Sequence, residues 1–208
     1  MATAIRLDRL AVSAIGEFGR DVARELCDLG ARIVPVEDPP DHASALVLVS
    51  WRPEPGHCAE WNRRAAAAGT PWLPVMVEHP RLIVGPWIDP TNGPCYSCFE
   101  FRRDQHDPGR QLRLRLRRAY SADDTLGVYG HLPHHVSLAE SLIRMACAAP
   151  MPGSTHLLDL MSSQLSTYQV SARQDCPDCP KSSAWGDPRL AEAIAAAAPI
   201  ETPVKEPQ

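Results

Sequence analysis

Two Cys-x-x-Cys pairs, Cys95-Tyr96-Ser97-Cys98 and Cys176-Pro177-Asp178-Cys179, constrain this chain more than any other feature of it. One such pair turns two thiolates toward a single ion, and a structural zinc takes four ligands in a tetrahedron. Two pairs complete the set, so the regions around residues 95 and 179 must meet in space. With all four positions taken by protein, no place is left for water or substrate. The spacing therefore predicts one structural zinc per chain on Cys95, Cys98, Cys176 and Cys179. A redox dithiol in one pair would leave the other unexplained, and four thiolates would also suit an iron–sulfur cluster. Cys27, Cys58 and Cys147 fall in expected helices or loops and read as packing residues. His131, His134 and His135 read as a solvated connection or a helix start rather than as ligands.

The rest of the composition narrows the setting. No apolar run approaches the roughly 20 residues of a membrane span. The N-terminal MATAIRLDRL lacks the apolar stretch and cleavage site of a secretory signal. A cytoplasmic protein is expected, and seven cysteines there point to metal or redox chemistry rather than a disulfide framework. The formal net charge of −4 gives no general attraction to nucleic acid or anionic lipid. Its 208 residues suffice for one compact domain. Prolines are unusually frequent, 21 against 12 glycines, and their clusters separate elements rather than sit inside them.

Hydrophobic patterning predicts alternating strands and helices. Residues 9–15 form an apolar strand, and Val22, Ala23, Leu26 and Leu29 then recur at helical spacing up to a C-cap at Gly30. Segments 31–36 and 45–49 read as strands, 59–68 as a helix ending at Gly69, and 71–77 as a strand weakened by Pro74. That order implies a Rossmann-like, mainly parallel α/β sheet with flanking helices. Residues 81–88 read as strand or hairpin, 134–149 as an amphipathic helix, and 154–170 as a hairpin delivering the second cysteine pair. The whole is expected to be a single α/β domain over 1–193. Its Rossmann-like half covers about 9–80, its zinc-bearing half about 81–180 is stapled through that hairpin, and 194–208 is a disordered tail.

Two further features bear on function. After the first strand comes Ala14-Ile15-Gly16-Glu17-Phe18-Gly19, which keeps two of the three glycines of a dinucleotide-type turn. Gly16, Gly19 and the more distant Glu37, at ribose-contact spacing, are the candidate nucleotide residues. Against that, Glu17 puts negative charge among amides that should face phosphate, and no lysine precedes Lys181. The motif reads better as a tight strand–helix turn, and bound ATP is not expected. The second feature is the arginine-rich segment 102–118. Its LRLRLRR run alternates at period two, so it fits a half-exposed strand or a basic helix. Arg113, Arg115, Arg117 and Arg118 are its candidate contacts to an acidic peptide or partner, against the default of a solvated basic face. A zinc-ribbon nucleic-acid binder is a poor fit, because the chain is acidic and no aromatics interleave these arginines.

Several of these residues together resemble a known family. They are Val84-Gly85-Pro86-Trp87, the Gly93-Pro94-Cys95-Tyr96-Ser97-Cys98 stretch with Arg102 shortly after, and the terminal Cys176-Pro177-x-Cys179. This pattern, over roughly 9–180, resembles the ThiF/MoeB-like (ubiquitin-activating-enzyme-like) fold. Within it, the pattern is similar to the ThiF-like partner proteins of YcaO-dependent azoline peptide biosynthesis. The resemblance implies a non-catalytic partner of a YcaO-type cyclodehydratase that binds that enzyme, the precursor's leader peptide, or both, and that forms a homodimer. Relatives usually carry an N-terminal winged-helix-like module, which is expected here to be absent or encoded elsewhere. The alternative it implies is an ATP-dependent adenylating enzyme acting on a peptide or carrier-protein C-terminus. The lysine such an enzyme needs cannot be placed, and Cys58 is no convincing nucleophile, so no residue is assigned a catalytic role.

Overall fold

In a computed structural model, residues 4–40, 43–173 and 176–179 are described. A seven-stranded sheet runs through the molecule in the order β2-β1-β3-β4-β5-β6-β7. The strands are β1 (Leu10–Ile15), β2 (Arg32–Ile33), β3 (Ala45–Ser50), β4 (Trp72–Glu78), β5 (Arg81–Val84), β6 (Ser154–Asp159) and β7 (Leu165–Gln169). The pairs β1–β2, β1–β3 and β3–β4 are parallel, whereas β4–β5, β5–β6 and β6–β7 are antiparallel. The expectation of a mainly parallel sheet is thus corrected to a mixed one. The reason is local: between Glu78 and Arg81 only a two-residue turn intervenes, and so short a link permits only an antiparallel neighbour.

The core alternates with the pleat. On β3, Val47 and Val49 join one apolar cluster while Leu46 and Leu48 join the other. The first face is covered by α1 (Gly16–Asp28) and α5 (Pro133–Ala148), which bury Phe18, Val22, Leu26, Leu142 and Ile143 there. The second is covered by α2 (Pro55–Ala68) and α3 (Tyr96–His106), whose Trp61, Tyr96 and Phe99 are buried there with Trp72 of β4. The second strand shrinks to Arg32–Ile33, leaving Glu37 on an exposed bend. Pro74 does not interrupt β4, and Gly85 donates its N–H to the Pro74 carbonyl at 2.8 Å.

The arginine-rich segment is neither a strand nor one continuous helix. It is split at Asp107–Gly109 into the end of α3 and the outlying helix α4 (Arg110–Ala122). Ion pairs decide this against the period-two pattern. Arg113 reaches back to Asp104 and to Asp107 (2.9 Å), and Arg117 to Glu100, contacts that require α4 to fold back along α3. No helix among the described residues is long and apolar enough to cross a membrane. The tail expected at 194–208 lies outside the described residues.

Candidate functional site

The four cysteines of the two pairs converge, all their sulfurs lying within 4.8 Å of one another. Cys95 sits 3.8 Å from Cys98 and 3.6 Å from Cys176, and Cys98 sits 3.4 Å from Cys179. Sulfurs about 2.3 Å from a tetrahedral ion would be roughly 3.8 Å apart, so the donor set fits a metal ion without rearrangement. Local structure explains how the pairs are aimed. Cys95 is the N-cap of α3, which puts Cys98 one turn further on the same helix face. Gly93 and Gly153, both at positive φ, let the two loops touch. A Cβ on Gly93 would lie 2.7 Å from Pro152, and one on Gly153 would lie 2.6 Å from the Val170 carbonyl oxygen.

Arg102, noticed in the sequence only as a spacing, turns out to brace the second pair. Its guanidinium donates to the carbonyls of Ser171 (3.2 Å) and Ala172 (2.9 Å), fixing the strand exit that leads to Cys176. Ser97 donates to Asp178, tying one knuckle to the other. The Arg173 N–H donates to Cys98 Sγ at 3.2 Å. Thiol donation from Cys95, outweighing burial, and that backbone N–H lower the Cys98 thiol to about 5. Cys95, the donor, is pushed up. One thiolate stabilised by its neighbours is the state that a cation completes. The remaining thiols stand apart: Cys58 and Cys147 are buried, and burial pushes both up to about 12, so they are packing residues. Cys27, by contrast, is exposed on α1.

A second region lies at the C-terminal ends of β1 and β3, a cavity of about 600 Å³ whose lining includes Gly16, Glu37, Trp51, Glu54 and Tyr129. Open parallel sheets bind ligands at this edge. The glycine turn is intact in shape: Gly16 has φ +76°, and Gly19 approaches β3 so closely that a Cβ would meet the Val49 carbonyl oxygen at 2.6 Å. What the sequence did not reveal is Trp51. Its indole lies directly over Gly16, where any Cβ would overlap the ring, and Gly127 packs against the ring from the other side. Tyr129 stacks on it with centroids 4.4 Å apart.

Arg52 holds that arrangement shut. Only 3% exposed, it donates to Glu54 (2.7 Å) and to the carbonyls of Tyr120 and Asp123 (both 3.1 Å) and of Leu126, strapping the segment after α4 across the strand ends. Burial alone would raise the Glu54 carboxyl, but hydrogen bonds from His57 and Arg52 hold it below the usual carboxylate value. His131 closes the strap's far end on Asp21 at 2.8 Å, edge-on to Phe18, and His135 is buried at the start of α5. Neither joins a metal-ligating group among the described residues. The arginines singled out on α4 separate. Arg113 is buried and Arg117 half-buried, both clamped by carboxylates, and only Arg115 and Arg118 are exposed.

No family model matches the chain, and no curated protein matches it. Solved structures do. The heterocyclase TruD superposes with a TM-score of 0.61 at 18% identity, covering 83% of this chain and 28% of that one. The E. coli microcin synthetase McbBCD complex gives 0.61 at 14% identity, over 85% of this chain and 70% of its counterpart. E. coli MccB with ATP gives 0.53 at 11% identity, over 83% and 69%. The chain has a ThiF-like fold. At these identities the likeness is one of architecture alone. The chain spans little more than a quarter of the TruD heterocyclase.

Proposed function

We propose that this chain is a non-catalytic accessory protein of ribosomal peptide natural-product biosynthesis, docking on a YcaO-type cyclodehydratase, on its precursor peptide, or on both. The ThiF-like fold shared with a heterocyclase and a microcin synthetase complex supports the setting. The observation that carries the non-catalytic reading is Trp51. Phosphates would approach the glycine turn over Gly16, and the indole fills that space while Arg52, which lines the same cavity, is consumed by Glu54 and three backbone carbonyls. Glu17 at the start of α1 adds negative charge where the helix N-terminus would otherwise favour phosphate.

In this reading the four cysteines hold one zinc ion, which supplies folding free energy and no reaction step. It ties the start of α3 to the chain that leaves β7. Isothermal titration against a YcaO-type enzyme and its precursor peptide tests the function. Micromolar or tighter binding to at least one is expected, together with no heat from ATP. No binding to either would refute the proposal.

A second reading, an adenylating enzyme, draws on the retained Gly16, Gly19 and Glu37 and on a fold neighbour solved with ATP. ATP–pyrophosphate exchange by the purified protein, abolished by Gly16→Asp, would establish it.

A further inference from the structure

We infer that the groove between α4 and the β6–β7 hairpin is a docking site for an extended acidic peptide, which adds to the free edge of β7 as an eighth strand. The inference rests on the reading that this chain docks on a peptide or partner, and it names where and by what chemistry. The groove encloses about 1020 Å³ and lies on the face of the sheet that α3 covers. Its floor is Ile83, Leu157 and Tyr168, and its far wall is Leu112 and Leu116 of α4.

β7 is the last strand of the sheet, and each of its five residues is exposed. Register shows which of its backbone groups have no partner among the described residues. Val170 donates to the Gly153 carbonyl and Asp159 to that of Gln164 (both 2.9 Å), so the hydrogen-bonded positions of this antiparallel pair are Gln164, Ser166, Tyr168 and Val170. The N–H and C=O groups of Leu165, Thr167 and Gln169 therefore point away from β6, as a ladder awaiting a partner. No lysine or proline blunts this edge. A strand laid there, about 4.8 Å from β7, would turn alternate side chains into the groove beside Tyr168, Leu112 and Leu116.

Those apolar groups are unusually open: Leu112 is 64% exposed and Leu116 43%. They lie one turn apart on a helix otherwise rich in arginine, so solvation of a charged face does not account for them. Charge then selects the sign of the occupant. Arg103 and Arg113, which also line the groove, are neutralised by Glu78, Glu100, Asp104 and Asp107. Arg81 lines it with no ion-pair partner among the described residues, Arg102 lines it with its charge unneutralised though its donors serve Ser171, Ala172 and Gln105, and Arg115 and Arg118, beside the groove on α4, are exposed with no ion-pair partner among the described residues. In a chain of net charge −4, this is a local basic field. An extended backbone for β7, apolar side chains for α4 and carboxylates for the unpaired arginines together describe one kind of partner.

The test uses fluorescence anisotropy on the full chain, loaded with zinc. The probe is a fluorescein-labelled synthetic peptide in which Glu alternates with Val and Leu. Saturable binding is expected, weakened by added salt, and absent for the same peptide with Lys in place of Glu. Thr167→Pro removes an outward N–H and no ladder bond to β6, and Leu112→Glu changes an exposed side chain. Each should weaken binding at least about tenfold with metal content unchanged; Leu112→Glu should keep the parent's melting temperature, and Thr167→Pro, which also deletes the hydroxyl contact to His156, that of Thr167→Val. Equal binding of the Lys peptide, full competition by a single-stranded oligonucleotide, or wild-type affinity in both variants would overturn the inference. So would concentration-dependent dimerisation that Thr167→Pro abolishes without any peptide binding, which would assign the edge to a second copy. Retained YcaO or precursor binding in the double variant would sink the groove while leaving the accessory role standing. Loss of all binding in the wild type would sink both.

Discussion

Replacing Gly19 by alanine separates the two roles a glycine turn can play, packing and phosphate contact. A Cβ at this position would lie 2.6 Å from the carbonyl oxygen of Val49 and 3.3 Å from its carbon, atoms of a central strand that cannot rotate aside. Ordinary contact begins near 3.4 Å, so α1 must retreat from β3 by roughly 0.8 Å to admit one methyl group, a case of overpacking. That retreat loosens Phe18, Val22 and Leu26, all buried in the larger core cluster. Overpacking of this kind costs about 1–3 kcal/mol, and a domain of this size loses about 2–4 °C of melting temperature per kcal/mol. Gly19→Ala should therefore melt about 2–12 °C below the parent by circular dichroism with zinc present. Gly56→Ala is the matched control: it sits in the first turn of α2 with nothing within 4 Å of its Cβ position. It should be neutral or gain up to about 1 kcal/mol from helix propensity. If Gly19→Ala melts with the parent, the packing account of this turn is wrong. If it keeps its stability and loses a measurable affinity for ATP, the glycine serves phosphate after all.

Three further outcomes follow from the site geometry. Cys98→Ser and Cys176→Ser should each release the metal, read as loss of the single zinc equivalent by metal analysis, and should lower the melting temperature. Cys58→Ala should retain full zinc. Arg52→Met breaks a buried pair and strands Glu54, so it should cost about 3–5 kcal/mol. It should also open residues 123–131 to limited proteolysis, since their carbonyl anchor is gone. The same strap should respond to pH. Glu54 is held below its ordinary value of 4.5, so its contribution is present above that value and is lost as pH falls through the lowered one. His57 is raised above 6.5 by its hydrogen bond to Glu54, so its contribution is complete below 6.5 and fades as pH rises through the raised value. Protection of 123–131 from proteolysis should be greatest between about 4.5 and 6.5, and Glu54→Gln should flatten that profile.

Local chemistry made much of this molecule readable in advance. Apolar runs at 10–15, 45–50 and 72–78 are strands because they are buried on both faces, and a continuous apolar run is the signature of that environment. The cysteine pairs needed only the preference of a soft cation for four thiolates, and the backbone brings their sulfurs together as the spacing required. Where the sequence left two readings open, contacts made in the folded chain chose between them. LRLRLRR alternates like a strand, yet Arg113 and Arg117 find Asp104, Asp107 and Glu100 only if the segment is helical and folded back on α3.

The same division holds for the site. The amino-acid sequence by itself determined which four cysteines are placed to hold a metal ion, and that a glycine-turn α/β sheet precedes them, because each depends on residue type and near-neighbour spacing. The tertiary structure alone decided that Trp51 lies over Gly16 rather than in the core, and that Arg52 is spent on a strap from a segment some 70 positions away. It also decided that Arg113 and Arg117 on α4 are neutralised while Arg115 and Arg118 have no ion-pair partner among the described residues. Those outcomes depend on which side chains meet across the fold, and no periodicity in the chain encodes such meetings.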